Sequence, residues 1–366
     1  MTPIINQYYP GLEKVPWISL GEYPTKVEKL EKMGGIRGFK SLYIKRDDQS
    51  SPVYGGNKVR KLEYLLADAQ RRGKKTLITL GGVGSNQVLA TGIFGSEFGF
   101  KVIGIMLDQP NAKYVRNNLL LDKHYEIELV HAKDALSEIM AVTSQYIKSV
   151  LGGGKPYFVT AGASSEIGNM GFVNAAFELK EQIDNKILTE PDYIIAACGS
   201  IGTTAGLNLG CRLAGLQSKV VAVRISMPWL VTKWRMRRMI RDINKYMRKF
   251  DSSVRLLDIS EDELLMLEDY LGEEYASFTD IGCKCVDDML ELEGIPLDPT
   301  YTGKALGGGL DWLKKRGETD KNVLFWNTYN SRSLSEKSSD INYNTLPKQF
   351  HKYFKEPVQE ETWKRG

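Results

Sequence analysis

Short apolar runs alternate with longer amphipathic stretches along most of the chain. Eight of the runs are apolar almost throughout and rich in β-branched residues, as parallel strands covered on both faces should be. These predicted strands are LYIKRD (42–47), TLITLGG (76–82), KVIGIML (101–107), EIELVHA (126–132), PYFVTA (156–161), YIIAACGS (193–200), KVVAVRIS (219–226) and NVLFWNT (322–328). Helices are predicted between them over 59–72, 85–99, 134–150, 168–184, 204–215, 229–249, 282–294 and 304–316. This alternation predicts an α/β fold with parallel sheets covered by helices.

The length of the chain indicates more than one domain. Its 366 residues, 42% of them hydrophobic, exceed what one small core needs and are ordinary for a two-domain enzyme. We expect a small α/β domain over 59–171, inserted into a larger domain made of 1–58 and 172–366. A ligand would lie in the cleft between the two domains, which is a common place for small-molecule sites. The polar tail from Ser333 to Gly366 is expected to wrap on the surface as an extension.

Composition argues against several classes of protein. No apolar stretch approaches the roughly 18 residues of a membrane span, and the N-terminal MTPIINQYYPGLEKVPW lacks the charged start and apolar run of a secretory signal. We therefore expect a cytoplasmic protein with no membrane partner. The four cysteines form no CxxC pair and three histidines occur in the whole sequence, so no metal site is predicted.

The basic stretch KWRMRRMIRDINKYMRK (233–249) allows more than one interpretation. It could be a nucleic-acid patch. Apolar residues recur through it at helical spacing, however, and this favours an amphipathic helix with a cationic outer face. Such a face could also line the entrance for an anionic substrate. The net charge of the chain is only +4, and we predict no nucleic-acid partner.

Glycine-rich turns join three of the predicted strands to helices, at the carboxyl ends where such folds bind ligands. In GGVGSNQ (81–87), Ser85 and Asn86 present a hydroxyl, an amide and helix-start N–H groups, which suits a small anion such as a carboxylate. The alternative is that Ser85 simply caps the helix. The turn in AGASSEIGNMGF (161–172) either closes around a ligand or just connects.

The turn CGSIGTTAGL (198–207) has the composition of a phosphate cradle. Backbone N–H groups and hydroxyls at a helix start can bind phosphate oxygens. The residues concerned are Gly199, Ser200, Gly202, Thr203 and Thr204. No GK[ST] follows, so this is not a Walker loop. The glycines are not spaced as GxGxxG, and no acidic residue ends the following strand to bind a ribose, so one phosphate fits better than a dinucleotide.

Lys58 stands in GGNKVRKLEY (55–64), where a loop turns into a helix and a cation is disfavoured. Lys61 follows one helical turn later. A second cation there could bind a phosphate and lower the pKa of the Lys58 amine, which favours Schiff-base chemistry. The alternative is an ordinary solvated helix face.

Five segments occur in the order seen in the fold-type II pyridoxal-phosphate enzymes, whose fold is tryptophan synthase β-like. They are GGNKVRKLEYLLADA, GGVGSNQ, GKPYFVTAG, CGSIGTTAG and LDPTYTGKALGG. Within that group the chain resembles the family of 1-aminocyclopropane-1-carboxylate deaminase and D-cysteine desulfhydrase, over roughly residues 10–330. The resemblance implies pyridoxal 5'-phosphate as cofactor, a small amino acid as substrate, and a homodimer.

The same resemblance implies roles for individual residues. Lys58 would carry the cofactor covalently and, once released, act as the base at the substrate Cα. Tyr275 and Tyr301 would line the substrate pocket, the second beside the leaving group, although either could merely pack as one of 18 tyrosines. Ser85 would contact the substrate carboxylate and take part in proton transfer. Further implied substrate contacts are Asn86 and Gln87; implied cofactor contacts are Lys61, Ser200, Gly202, Thr203 and Thr204 at the phosphate, Asn86 at the ring oxygen, and Thr302 and Thr328 at the ring nitrogen.

Three positions depart from the family pattern. Thr302 stands where deaminases of the family carry a glutamate at the ring nitrogen, which resembles the desulfhydrase branch and argues against opening a cyclopropane ring. Gly84 replaces a glutamine before the Ser-Asn pair, which would remove an amide from the pocket and could admit a larger substrate. The segment 327–330 (NTYN) replaces a His-Thr-Gly-Gly turn and would place bulk near the cofactor or the pocket wall.

The leading hypothesis is a pyridoxal-phosphate-dependent lyase that acts on a small amino acid by α,β-elimination. D-cysteine, giving pyruvate, sulfide and ammonia, is the first candidate. The alternatives on the same scaffold are 1-aminocyclopropane-1-carboxylate deamination, β-replacement and racemisation. Two other classes are a nicotinamide-dependent oxidoreductase and a non-catalytic ligand-binding homologue.

Overall fold

The computed structural model describes residues 2–362. The chain divides into two compact units: Met1–Tyr64 with Ser164–Arg332, and Leu65–Ala163 with Ser333–Gly366. The strands found within the described residues are β1 (Val27–Lys29), β2 (Ser41–Lys45), β3 (Thr76–Gly82), β4 (Lys101–Leu107), β5 (Glu128–Ala132), β6 (Pro156–Val159), β7 (Tyr193–Cys198), β8 (Lys219–Arg224), β9 (Leu265–Leu267) and β10 (Asn322–Trp326).

The helices within the described residues include nine long segments and several short ones. They are α1 (Ile5–Tyr8), α2 (Glu31–Arg37), α3 (Asn57–Arg71), α4 (Asn86–Glu97), α5 (Lys113–His124), α6 (Ala135–Leu151), α7 (Glu166–Asp184), α8 (Gly202–Leu213), α9 (Lys233–Arg248), α10 (Asp280–Glu293), α11 (Thr302–Lys315), α12 (Ser335–Ser338), α13 (Lys352–Lys355) and α14 (Gln359–Thr362).

The first unit is built on a six-stranded sheet with the order β1-β2-β10-β7-β8-β9. The edge strand β1 is antiparallel to β2, and the other pairs are parallel. In β7, Ile195 and Ala197 point into the core under α10 and α11, whereas Ile194 and Ala196 point into the core under α7 and α8. Both faces are therefore buried, which explains why this run has no polar side.

The second unit is built on a four-stranded parallel sheet with the order β5-β4-β3-β6. Ile78, Ile103 and Ile105 form the core of one face, against Ala141 and Val142 of α6. Because β3 and β4 are paired in parallel, the turns that follow them emerge side by side at the carboxyl edge of this sheet.

All eight predicted strands and all eight predicted helices are present, with ends that differ by no more than four residues. The predicted α/β fold with parallel sheets is confirmed. The pattern did not predict α5, because two positions of its buried face carry the polar residues Asn118 and Asp122. Burial raises the pKa of Asp122 well above its usual value.

The C-terminal tail packs on the second unit. Phe350, Tyr353 and Val358 are buried, and the Tyr353 hydroxyl donates to Asp108 Oδ1 at 2.8 Å. The sequence prediction had placed the tail with the larger domain as a surface extension. It differs from the structure because these few buried apolar residues are spaced too irregularly to mark a helix or a strand.

The basic stretch forms the amphipathic helix α9. Helix α9 buries Met236, Ile240, Ile243 and Met247 and turns its cationic side outward.

Among residues 2–362, no helix combines the length and apolar character that crossing a membrane needs. The same residues contain no cluster of three or more His, Cys, Asp or Glu side chains that could hold a metal ion.

Candidate active site

Three loops of the first unit meet at one edge of its sheet. Strands β2, β10 and β7 are parallel neighbours, so the segments that follow them lie side by side. These segments are 46–56, 327–330 and 199–201. Ligands of parallel sheets bind at this carboxyl edge, and each segment carries or precedes a predicted site residue.

Lys58 and Lys61 lie near the start of α3. Lys61 is fully buried, and its Nζ donates to Ser164 Oγ at 3.2 Å. The interpretation of a solvated helix face is therefore wrong for Lys61. Burial lowers the pKa of Lys58 to about 8, against an opposing effect of Asp298. The possibility that Lys61 lowers this pKa differs from the structure, where the effect falls on Lys61 itself. Burial, and secondarily the neighbouring Lys58 amine, lower the pKa of Lys61 well below its usual value.

A buried cluster of charges fixes the beginning of α3. The Arg60 guanidinium, between the two lysines, donates to Asp47 Oδ2 at 2.7 Å and to Glu178 Oε2 at 2.9 Å. Lys45 also pairs with Glu178, and Trp326 Nε1 donates to Asp47 Oδ2 at 2.7 Å. Burial disfavours the Glu178 carboxylate, yet Arg60 and Lys45 together lower its pKa to about 2. The cluster thus ties α3 to β2, β10 and α7.

A small cradle lies beside the buried Lys61 amine. Gly202, the first residue of α8, has no room for a side chain: a Cβ there would lie 2.2 Å from Asn169 Oδ1, 2.4 Å from Ser164 Oγ and 2.8 Å from Lys61 Nζ. Ser164 Oγ also contacts Ser200 Oγ at 2.9 Å. A lysine amine, two hydroxyls and an amide therefore converge on the first turn of a helix.

The backbone before the cradle is held in an unusual conformation. Ile201, the N-cap of α8, has φ 67°, a left-handed value that a branched residue rarely adopts. Such values persist where surrounding contacts impose them, often at binding sites. The Thr204 hydroxyl donates to the Ile201 carbonyl at 2.9 Å. This hydroxyl is therefore engaged within the helix start, and a contact between Thr204 and a phosphate stays a prediction.

The cradle fits a phosphate group by an observation independent of its motif. Asn169 is fully buried, and both polar atoms of its amide lack a hydrogen-bond partner among the described residues. Buried amides are rarely left so, because each missing hydrogen bond costs about 1–3 kcal/mol. Thr203 lies at the same helix start, where its hydroxyl accepts a hydrogen bond from Asn57 Nδ2 at 3.1 Å. An anion seated here would meet these donors and the N–H groups of α8.

Two tyrosine hydroxyls and one buried carboxyl group form a second cluster in the first unit. The hydroxyls of Tyr275 and Tyr301 are in direct contact. Asp298 Oδ1 accepts from the backbone N–H of Tyr301 at 2.6 Å, and its Oδ2 contacts Thr302 Oγ1 at 2.6 Å. The Thr302 hydroxyl oxygen also accepts from the Asp298 N–H at 2.9 Å. Thr302 is fully buried, so its hydroxyl is already engaged at the start of α11.

The 327–330 turn is joined to the loop that precedes Lys58. The Thr328 carbonyl accepts from Asn57 N–H at 3.2 Å. The Asn330 side chain accepts from Gly55 N–H at 2.7 Å. Gly56 has φ 92°, and a Cβ there would lie 2.8 Å from the Thr328 and Tyr329 carbonyl oxygens. The bulkier turn predicted from NTYN is thus accommodated by a glycine opposite it.

The Ser85 turn belongs to the second unit. Ser85 caps α4, where its hydroxyl oxygen accepts from the N–H groups of Gln87 and Val88. The Asn86 side-chain oxygen accepts from Asn118 Nδ2 at 3.1 Å, which directs the Asn86 NH₂ group elsewhere. Gln87 is buried, and its Nε2 donates to Thr91 at 2.7 Å. The Gln87 side-chain amide is thus bonded within its own helix, and its substrate contact stays a prediction.

Gly84 does not open the space that the sequence led us to expect. A Cβ at this position would lie 2.7 Å from the Tyr114 ring and 2.8 Å from Val115 Cγ2. The side chain of Gln109 also reaches the turn, where its Oε1 accepts from Gly84 N–H at 3.1 Å. Neighbouring side chains therefore fill the space at Gly84, and the effect of this position on substrate size stays a prediction.

Sequence reasoning did not single out several residues that the structure brings to these sites. Ser164 and Asn169 lie in the segment 161–172, whose small residues are compatible both with closure around a ligand and with a plain connection. Asp298 lies in the LDPTYTGK segment, where its buried carboxyl group bonds to the Thr302 hydroxyl. Gln109 had no local signal, since it approaches Gly84 from the loop after β4.

The lowered pKa of Lys58 leads to a prediction about its reactivity. Below pH 8 the amine is mostly protonated and cannot attack an aldehyde, so covalent capture of pyridoxal phosphate by cofactor-free protein should slow about tenfold per pH unit. Asp298→Asn should shift the midpoint to lower pH, because Asp298 favours the protonated amine. Borohydride trapping and peptide mapping at a series of pH values would measure this. A midpoint at pH 10 or above contradicts the prediction.

Comparison with known proteins agrees with a phosphate-bearing cofactor at this site. Residues 18–328 match the family described as "Pyridoxal-phosphate dependent enzyme". A Pyrococcus furiosus protein, provisionally named a 1-aminocyclopropane-1-carboxylate deaminase, is 34% identical over 87% of this chain and 92% of its own. D-cysteine desulfhydrase of Klebsiella pneumoniae is 30% identical over 88% of this chain and 97% of its own. The crystal structure of a homologue of the deaminase, 31% identical, superposes with a TM-score of 0.76 over 90% of this chain and 96% of that one.

Proposed function

Because the chain belongs to the pyridoxal-phosphate dependent enzyme family, we propose that it is a lyase that removes a β-substituent from a small amino acid, with D-cysteine as the first candidate. The products would be pyruvate, sulfide and ammonia. Bound pyridoxal phosphate supplies the electron sink for this chemistry. The residues of the cradle, with Lys61 and Asn169, would hold its phosphate, and Lys58 would bond to its aldehyde carbon.

The reaction needs one proton removed and one supplied. The Lys58 amine, with a pKa of about 8, is a base of suitable strength for the proton on the substrate Cα near neutral pH. The leaving thiolate needs a proton donor. Burial raises the pKa of Tyr275, so this phenol keeps its proton. Ser85, at the N-terminus of α4, would bind the substrate carboxylate.

The contact between the Tyr275 and Tyr301 hydroxyls is the observation that carries the proposal. One phenol donates to the other, so a proton given to the leaving group can be replaced from the second ring. A donor of this kind assists the departure of a β-substituent, whereas racemisation releases no leaving group. This favours elimination among the reactions open to the scaffold.

The residue that follows Tyr301 separates the two named activities of the relatives. Thr302 offers a hydroxyl already engaged with Asp298, not a carboxylate. Opening a cyclopropane ring demands a stronger electron sink than expelling a thiolate, and a carboxylate at the cofactor nitrogen would provide it. The similarity to a protein provisionally named as the deaminase supports that activity as the second candidate.

Product analysis on an amino-acid panel tests the proposed reaction. Holoenzyme incubated with D-cysteine should release sulfide, pyruvate and ammonia in equal amounts, and 1-aminocyclopropane-1-carboxylate should give no ammonia. The panel should include both cysteine enantiomers, both serine enantiomers and β-chloroalanine. Turnover of the cyclopropane substrate without turnover of D-cysteine would favour the second candidate. Bound cofactor that is silent across the panel would favour a non-catalytic protein.

We also propose that the enzyme is a cytoplasmic homodimer. The resemblance to its family supports the dimer, and four buried free thiols support a reducing compartment. Sedimentation equilibrium of the holoenzyme would contradict the dimer if it returned the mass of a single chain.

A further inference from the structure

The C-terminal tail grips one segment of the second unit, the loop after β4 and the first turn of α5 (108–116). Lys352 Nζ pairs with Asp108 Oδ2 at 2.8 Å. Arg116 Nε donates to the Tyr353 carbonyl at 2.7 Å, and Asn111 Nδ2 donates to the same carbonyl at 2.9 Å. The family match ends at residue 328. These contacts therefore come from a part of the chain outside the region that defines the family.

The gripped segment carries Gln109 to the turn before α4. Its Oε1 accepts from Gly84 N–H at 3.1 Å, and its Nε2 donates to the Tyr114 hydroxyl at 2.8 Å. These two bonds fix the amide next to Ser85. Within residues 2–362, the second N–H of Nε2 has no partner, and Gln109 is only partly buried. A donor held by two hydrogen bonds therefore lies beside the turn that carries Ser85, the residue proposed to bind the substrate carboxylate.

Tyr353 connects the C-terminal tail to the segment that carries Gln109. Its side chain is 2% exposed, so the ring is locked in the core of the second unit. Its hydroxyl accepts from Gln109 N–H at 3.2 Å and donates to Asp108 Oδ1 at 2.8 Å. Asp108 is held further by His131 Nε2 at 3.0 Å. Burial raises the pKa of Tyr353 far above neutral, so the hydroxyl retains the proton that this bridge requires.

We propose that Gln109 is a substrate-recognition residue and that the tail positions it through Tyr353. The free N–H of its amide would donate to the substrate carboxylate together with Ser85. The ligand class is thus a small, zwitterionic amino acid, as in the proposed function on which this inference rests. Gln109 touches substrate, whereas Tyr353 is a positioning residue that acts through it.

The test uses the holoenzyme carrying Gln109→Glu, Tyr353→Phe or Tyr343→Phe. Gln109→Glu keeps the shape but exchanges a donor for a negative charge. Tyr353→Phe removes only the bridging hydroxyl. Tyr343→Phe is the matched control: its ring stacks on Phe354 in the same tail, and its hydroxyl makes no hydrogen bond within the described residues. Titration with D-cysteine, or with the best substrate of the panel, gives KM and the half-saturation of the cofactor spectrum.

Gln109→Glu should raise KM and the spectral half-saturation at least tenfold, and Tyr353→Phe about threefold, with kcat changed less than KM. Cofactor content and affinity should match wild type in all variants. Hydrogen exchange at the 108–116 amides should accelerate in Tyr353→Phe and not in Tyr343→Phe. Unchanged half-saturation in Gln109→Glu overturns the recognition role, and unchanged exchange in Tyr353→Phe overturns the positioning role. A wild-type protein that binds no cofactor would instead overturn the proposed function. Failure of either variant to show its expected effect would leave that proposed function standing.

Discussion

Lys58→Ala should remove the visible absorption of the bound cofactor and lower kcat by about 10³-fold or more. The substitution takes away both the amine that bonds to the cofactor and the base at the substrate Cα, and a positioned base alone contributes about 10²–10⁴-fold. Burial lowers the pKa of Lys58 to about 8, so a larger fraction of this amine than of an ordinary lysine is unprotonated near neutral pH. Absorbance of the dialysed, cofactor-reconstituted variant and single-turnover kinetics would measure the two losses.

Lys304 provides a demanding control for this experiment. Its amine is buried, its pKa is lowered to about 8 by burial, and it lies in the same unit as Lys58. Its Nζ, however, donates to the Leu271 carbonyl. Lys304→Met should therefore keep the absorption band. If Lys58→Ala retained the band and the turnover while Lys304→Met lost them, the covalent role would belong to Lys304.

Gly202→Ala should weaken pyridoxal phosphate binding by about 100-fold, equivalent to about 2.7 kcal/mol. The added methyl group would fill the cradle, at 2.2 Å from Asn169 Oδ1 and 2.4 Å from Ser164 Oγ. Because those are side-chain atoms, they can move aside and the fold should survive. The space for a phosphate should be lost. Titration of cofactor-free protein with pyridoxal phosphate would give the dissociation constant.

Two comparisons isolate the phosphate in this measurement. Pyridoxal, which lacks the phosphate, should bind Gly202→Ala and wild type alike. Gly35→Ala, in α2, is the matched substitution, because a Cβ at Gly35 meets no heavy atom within 4 Å. It should leave both dissociation constants unchanged. A Gly202→Ala variant that binds pyridoxal phosphate as wild type does would show that the phosphate lies elsewhere.

Features carried by neighbouring residues were predictable from the sequence. The strand β7 could be recognised because both of its faces are buried, which leaves an unbroken apolar run. The cradle could be recognised because Ser200 and Gly202 belong to one turn. The burial of Lys61, in contrast, is not written in KVRKLE, which has the composition of a solvated helix. Only its contact with Ser164, 103 residues away, decides the matter.

Features that depend on two distant segments were not predictable. The glycine at position 84 looked like an open space, but Tyr114 and Val115 occupy it. The tail looked like a polar extension, but Tyr353 is buried against a loop that lies 245 residues earlier in the chain. A single sequence shows which residue types are present at each position and not which segments face them. The same limit hid the bond between Asp298 and Thr302 within a recognisable motif.

The ion cluster around Arg60 has a consequence for anyone who would transplant the lysine-bearing helix into another scaffold. Arg60 comes with the segment, but Asp47 lies in the loop after β2 and Glu178 lies in α7. A graft without them would bury an uncompensated guanidinium, at a cost of about 3–5 kcal/mol. The three positions are therefore coupled, and we expect them to change together in evolution or in design. Apolar replacements should be tolerated only when all three residues are replaced.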